Sequence, residues 1–190
     1  MILPGEYRIE IIPLETPKLQ IHCHRCKKSA AFYCSEKFRV NAQQKHIDVW
    51  LIYKCGQCDN TWNYPILSRI HTHALDKNLH RKFMNNDRET AWRYAFQIDQ
   101  LRKVCHEVDT DISYTLKIEA VDRKEESCKI FLFSPYLFDL RLDKVLRQIL
   151  GISRSKLEHM ADCNGILTNP PVRLNSKLKE DLWITVLPLE

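Results

Sequence analysis

The stretch Ile47-Asp48-Val49-Trp50-Leu51-Ile52-Tyr53-Lys54-Cys55-Gly56-Gln57-Cys58 carries the decisive pattern. Ile47, Val49, Leu51 and Tyr53 alternate with Asp48, Trp50, Ile52 and Lys54, the period of a strand with one face buried. The strand runs straight into a Cys-x-x-Cys pair, and a matching pair, Cys23-His24-Arg25-Cys26, lies upstream with 28 residues between them. Each pair can offer two sulfurs from one tight turn, and the intervening chain is long enough to bring the turns face to face. Phe38-Arg39-Val40 supplies a partner strand, with Asn41 to Lys45 turning the chain between the two. Four thiolates at this spacing predict a tetrahedral structural zinc at Cys23, Cys26, Cys55 and Cys58. Such a closed site keeps no position for water or substrate, so it holds a fold together and performs no chemistry. A hairpin with two knuckles makes a zinc ribbon of residues 1–66. Trp50 and Trp62 are expected to pack around its core, which is too thin to stand without metal.

The totals narrow the class. A chain of 190 residues, 44% hydrophobic and 28% charged, has room for one good core or two to three small modules, and indicates neither disorder nor a fibrous repeat. No run approaches the roughly 18 apolar residues of a membrane span, and the start, Met1 to Arg8, lacks a charged segment followed by a long apolar one. A cytoplasmic address is expected. Eight cysteines are present, and the paired spacing favours metal over disulfides, in a reducing compartment. The net charge of +5 is concentrated at the two ends: residues 1–65 carry nine Lys and Arg against six acids, and residues 141–190 carry eight against six. That balance is compatible with nucleic-acid binding without compelling it.

Residues 67–134 read as a helical segment with a β-hairpin. From about Ser68 to Val108 the pattern is helical, and Asn86-Asp87-Arg88-Glu89 resembles a capping box before a helix that carries Trp92, Ala95 and Phe96 on one face. Tyr114 to Val121 and Ser127 to Phe133 read as two strands paired through the charged turn Asp122 to Glu126. Ser134-Pro135 marks a boundary. Beyond it, Leu142, Val145, Leu146 and Ile149 fall on one face of a basic amphipathic helix that Gly151 stops. Ser153 caps a second helix through Arg154, Lys156, Leu157 and Met160, which Gly165 ends. Ile166-Leu167 and Leu182 to Val186 then read as strands.

Residues 135–190 resemble the S4-like RNA-binding module of ribosomal proteins, pseudouridine synthases and some aminoacyl-tRNA synthetases. The carriers are Arg141-Leu142-Asp143-Lys144, Ser153-Arg154-Ser155, Gly165-Ile166-Leu167, and Lys177 to Asp181 followed by Ile184-Thr185-Val186. The resemblance implies that Arg141, Lys144 and Arg154 contact structured RNA with Lys156 beside them, and that Asp143 is structural. Asn169-Pro170-Pro171 and the bulky Trp183 depart from that family's pattern. A second resemblance, to a bacterial family of uncharacterised proteins, domain of unknown function 1062, rests on Lys37 to Ala42, Asp48 to Cys55 and Cys58-Asp59-Asn60-Thr61-Trp62-Asn63. It implies a bacterial cytoplasmic protein and no particular activity.

The remaining constellations are weaker. Cys34 reads as a small buried side chain rather than a fifth thiol, and His22 and His24 as surface or hydrogen-bonding groups beside a complete ligand set. His71-Thr72-His73 shows no third metal ligand. Cys105-His106 is not a catalytic pair, since adjacent residues on a helix point apart. Arg39 and Lys45, with Phe38 nearby, stand where a ribbon hairpin can touch nucleic acid.

The sequence therefore predicts an α+β protein with an N-terminal zinc ribbon, a helical and hairpin middle, and a C-terminal S4-like two-helix and small-sheet module. The expected function is non-enzymatic binding of structured RNA, ribosomal or transfer RNA, through Arg141, Lys144, Arg154 and Lys156. The alternatives are a zinc-ribbon adaptor that binds another protein and an RNA-modifying enzyme. DNA binding through the same charges stays open, and no membrane partner is expected.

Overall fold

The computed structural model describes residues 4–105, 107–122 and 127–187. In chain order its strands are β1 (Gly5–Pro13), β2 (Lys18–Cys23), β3 (Lys28–Gln43), β4 (His46–Cys55), β5 (Thr61–His71), β6 (Glu107–Asp109), β7 (Tyr114–Asp122), β8 (Cys128–Phe133), β9 (Ile166–Asn169) and β10 (Leu182–Val186). Its helices are α1 (Lys77–Met84), α2 (Arg88–Ala95), α3 (Ile98–Leu101), α4 (Leu142–Leu150) and α5 (Arg154–Asp162). The chain divides into two compact units, one of Met1–Leu14 with Ser113–Glu190 and one of Glu15–Ile112.

The unit of residues 15–112 is built on an antiparallel sheet ordered β5-β4-β3-β2-β6. The alternation quoted first is realised in β4, where Ile47, Val49, Leu51, Tyr53 and Cys55 are buried and the residues between them are not. Phe38 on β3 meets Phe83 of α1 at 4.9 Å and Tyr94 of α2 at 6.4 Å between ring centroids, so the helices cover this face. The opposite face is open. There Arg39 pairs with Trp50 across the strands and lies 5.8 Å from its ring.

The other unit carries a five-stranded sheet ordered β7-β1-β8-β10-β9. Strand β1 is its organiser: β7 pairs with it antiparallel on one side and β8 parallel on the other. Tyr7, Ile9, Ile11, Ile130, Leu132, Leu182, Ile184 and Val186 form the buried face. Leu142 of α4 lines a cavity with Leu182, and Leu157 of α5 lines another with Ile166, which places both helices against that side.

Several expectations need correction. The C-terminal residues do not form an S4-like module of two helices and a small sheet, because β10 pairs with β8 and extends the β9–β10 hairpin into the five-stranded sheet. The expected α+β arrangement of ribbon, helical middle and small C-terminal sheet gives way to two five-stranded sheets with short helices. A bare hairpin would leave unpaired edges and one wet apolar face; β8 pairs the free edge of β10, and α4 and α5 lie against the apolar face. Strands β7 and β8 do not pair with each other, since β1 stands between them; of their expected turn, residues 123–126 lie outside the described residues. The ribbon strand β5 continues to His71, beyond the expected boundary. The helix expected to open with a capping box at Asn86 opens instead at Asp87, the N-cap of α2, Asn86 being left-handed (φ 52°), and the expected helical pattern gives way to strand at both of its ends, in β5 and β6.

Candidate metal centre and an open aromatic face

The two Cys-x-x-Cys pairs adopt the same local structure. In the first, Lys27 is left-handed (φ 55°) and donates its N–H to the Cys23 carbonyl at 2.7 Å. In the second, Asp59 is left-handed (φ 57°) and donates to the Cys55 carbonyl at 3.0 Å. Each turn thus reverses tightly enough to present both of its sulfurs on one side. Gly56 ties the second turn to β3 by donating to the Ala31 carbonyl at 2.9 Å, and a Cβ there would stand 3.2 Å from that oxygen.

Adjacent hairpin turns at one end of the sheet bring the pairs together. The Sγ atoms of Cys23 and Cys58 are 3.6 Å apart and those of Cys26 and Cys55 are 3.9 Å apart. All four ligand atoms lie within 4.8 Å of one another, so these cysteines could hold one metal ion. A tetrahedron of thiolates about 2.3 Å from its centre has sulfurs about 3.8 Å apart, and the observed distances bracket that value. Cys23 and Cys55 are buried, while Cys26 and Cys58 are half-buried. The Cys26 N–H donates to the Cys23 sulfur at 3.4 Å and helps push that thiol down to about 6, whereas its contact with the Cys58 thiol pushes Cys26 up to about 12. Four sulfurs this close do not all ionise unless a cation takes the place of the protons.

Cys34 and Cys105, in the same unit, are not part of this cluster. Cys34 is buried and its thiol is pushed up to about 12 by that burial, the signature of an inert core group. Cys105 donates to the Leu101 carbonyl at 3.0 Å, and His106, its sequence neighbour, lies outside the described residues. His22 and His24 meet edge to face beside the first turn.

A second feature had no counterpart in the sequence reading. Phe131 and Phe133 alternate outward from β8, opposite the buried Ile130 and Leu132. Their rings stack with centroids 5.6 Å apart, and Phe131 lies 5.0 Å from Trp183 on the neighbouring β10. The guanidinium of Arg8 on β1 lies 5.8 Å from the Phe131 ring and 4.7 Å from the Phe133 ring. Trp183 is 42% exposed, and Leu167 beside it on β9 is 49% exposed. Three aromatic rings, two of them under an arginine, therefore occupy the open face of the sheet. The signal was present in Lys129-Ile130-Phe131-Leu132-Phe133, whose period puts both phenylalanines on one side.

The profile of a family described as "Protein of unknown function (DUF1062)" matches residues 40–171. The chain belongs to this family. No curated protein and no solved structure matches it. The DUF1062 match contains Cys55, Cys58, Phe131 and Phe133, while Cys23, Cys26, Arg8 and Trp183 lie outside the matched span. It also contains the four basic residues singled out from the sequence.

Those four are placed in two ways. Arg141 and Arg154 line one cavity of about 440 Å³, together with Arg173, Asp143, Glu158 and Asp162. Arg141 makes a two-pronged pair with Asp143 at 3.0 and 2.7 Å, which holds that carboxyl below its ordinary range. Arg154 donates to Glu158 at 2.9 Å. The cavity carries as many carboxylates as guanidinium groups, so its charge is balanced locally. Lys144 and Lys156 are exposed on α4 and α5 and do not line it. Of the ribbon residues, Arg39 is on the open face, but Phe38 is buried. Among the described residues no helix is long and apolar enough to cross a membrane.

Proposed function

We infer that this DUF1062 protein is a non-enzymatic, zinc-stabilised binder of single-stranded RNA whose contact surface is the open face bearing Arg8, Phe131, Phe133 and Trp183. The observation that carries the reading is the ring cluster itself. Contiguous aromatic side chains on an exposed sheet face do not serve the core, which already fills the other side of the same strands. Unstacked bases of single-stranded RNA stack on such rings, and an arginine above them can contact a phosphate or lie flat on a base. Zinc is the metal best suited to four thiolates in a tetrahedron, and there it would be structural. Its role is to clamp the two hairpin turns, leaving recognition to the open face. The basic helix residues Arg141 and Arg154 are engaged with carboxylates, which favours the ring face over the helix pair as the RNA surface.

The test is fluorescence anisotropy with a labelled oligouridylate in low salt, comparing the natural chain with Phe131→Ala and Trp183→Ala. Loss of a stacked base contributes about 1–3 kcal/mol, so each variant is expected to weaken binding roughly 5- to 150-fold. Competition with unlabelled oligothymidylate separates RNA from DNA selectivity. No binding by the natural chain, or equal affinity in a folded Phe131→Ala, Trp183→Ala double variant, defeats the reading.

A further inference from the structure

We propose that His46, His71 and His73 form a second, exchangeable site for a borderline divalent metal such as Ni²⁺, Cu²⁺ or Zn²⁺, at the opposite end of the sheet from the four cysteines. The sequence shows only His71-Thr72-His73, a pair without a third ligand. The fold supplies the third. His46 opens β4 and His71 closes β5, and the antiparallel register sets them directly across from each other. Their ring centroids are 4.3 Å apart, and those of His71 and His73 are 5.1 Å apart.

These spacings suit a shared ion. Two imidazoles bound through nitrogens at about 2.0–2.1 Å, with angles near a right angle or a tetrahedral one, have centroids about 4.5–5.2 Å apart; the His71–His73 spacing falls in that range and the His46–His71 spacing just short of it. The backbone around the cluster is fixed by hydrogen bonds. Thr72 donates to the Lys45 carbonyl at 2.8 Å, and Ala74 donates to the His71 carbonyl at 2.9 Å. Among the described residues only the four cysteines have all their ligand atoms within 4.8 Å, so the imidazoles are neighbours that have not converged. His71 and His73 are exposed, and a side-chain rotation of either brings a nitrogen inward without disturbing a packed group. A charge-neutral set of imidazoles selects borderline metals over Mg²⁺ or Ca²⁺, which favour oxygen.

The chemistry differs from that of the thiolate cluster. Three imidazoles leave at least one coordination position to solvent, and the cluster lies at the surface, so its metal would exchange where a closed thiolate site would not. A bound ion would also join the start of β4 to the turn that precedes α1, adding a clamp at the end of the sheet the cysteines do not reach.

The test uses protein whose thiolate site is already filled with zinc, titrated calorimetrically with Ni²⁺ while zinc content is followed by elemental analysis. The expected result is one Ni²⁺ bound per chain with zinc retained. The affinity should fall about tenfold or more in His71→Ala and in His73→Ala, and stay unchanged in His22→Ala, the control for the pair beside the cysteines. Because His73 lies exposed in a turn, its variant reads ligation without a folding effect. Nickel uptake only as zinc leaves, uptake abolished by His22→Ala, or equal affinity in His71→Ala and the natural chain would each overturn the proposal.

Discussion

The indole Nε1 of Trp92 donates to Oε1 of Glu36 at 2.5 Å. Glu36 stands in an irregularity of β3 where the register jumps from Cys34↔Tyr53 to Lys37↔Ile52, and its φ is 58°. The kink in the strand thus serves as the socket for α2. Arg88 completes the arrangement, donating to both Glu36 oxygens and lying 4.2 Å from the Trp92 ring. Asn86, in the break between α1 and α2, accepts the Phe38 N–H at 2.7 Å and fixes the helices to the same part of β3.

Glu36→Ala is accordingly expected to lower stability by about 1–2 kcal/mol, because Trp92 is only 5% exposed and its indole N–H would lose this half-buried acceptor. Glu36→Gln keeps an acceptor oxygen and should lose roughly 1 kcal/mol or less. Denaturant unfolding followed by tryptophan fluorescence distinguishes the two. Equal losses for both variants would mean that charge, and not the indole hydrogen bond, is what matters.

Metal removal should act on the unit of residues 15–112. Structural zinc sites contribute apparent binding energies of about 10–16 kcal/mol in small peptides, comparable to the whole stability of a domain. Chelation, or Cys26→Ser, is expected to lower the melting temperature by at least about 10 °C and to abolish metal binding at the four-cysteine site. After exchangeable metal is removed by desalting, elemental analysis should give one tightly held zinc per chain, and Cys34→Ser should keep it. A chelated protein that melts like the untreated one would show that the helices and sheet suffice alone.

Asp87 caps α2 by accepting the Thr90 N–H at 2.9 Å and the Thr90 hydroxyl at 2.5 Å. Asp87→Ala should destabilise the protein by about 1 kcal/mol. The Thr90 hydroxyl and N–H hold the Asp87 carboxyl below its ordinary range. A carboxyl depressed by folding contributes stability that is fully present above its unfolded value, near about 3.9. That contribution is lost as pH falls through the folded value. The stability difference between the natural chain and Asp87→Asn should therefore shrink below about pH 4. A difference constant from pH 7 to pH 3 would contradict this.

Gly151 ends α4 in the left-handed region at φ 65°, with its N–H on the Arg147 carbonyl at 2.9 Å. A Cβ there would meet nothing within 4 Å. Gly151→Ala should thus lose about 1 kcal/mol from backbone conformation alone, with the denaturant slope unchanged. A larger loss with a changed slope would point to a packing role.

Legibility followed the range of each pattern. The alternation in Ile47 to Tyr53, the Cys-x-x-Cys pairs, the stop at Gly151 and the cap at Ser153 are local, and all were readable because a strand period, a knuckle turn or a helix end involves a few neighbouring residues. Asn86 was misread as the start of a capping box because its left-handed backbone and its bond to Phe38 depend on a strand far away in sequence. The pairing of β7 with β8 failed for the same reason. Two strands joined by a charged turn look like a hairpin until Gly5–Pro13 arrives between them.

The sequence by itself determined the strand that leads into the second cysteine pair and which of its sides faces inward, the two C-terminal helices, and which four sulfurs belong together. Those features follow from side-chain period and from ligand spacing. Only the tertiary structure decided that β1 organises a second five-stranded sheet, that the C-terminal hairpin is part of it, that Phe131, Phe133, Trp183 and Arg8 share one open face, and that His46 meets His71. Each of these is a lateral pairing between distant strands, and hydrogen bonding along a strand edge is nearly blind to the side chains that it brings side by side.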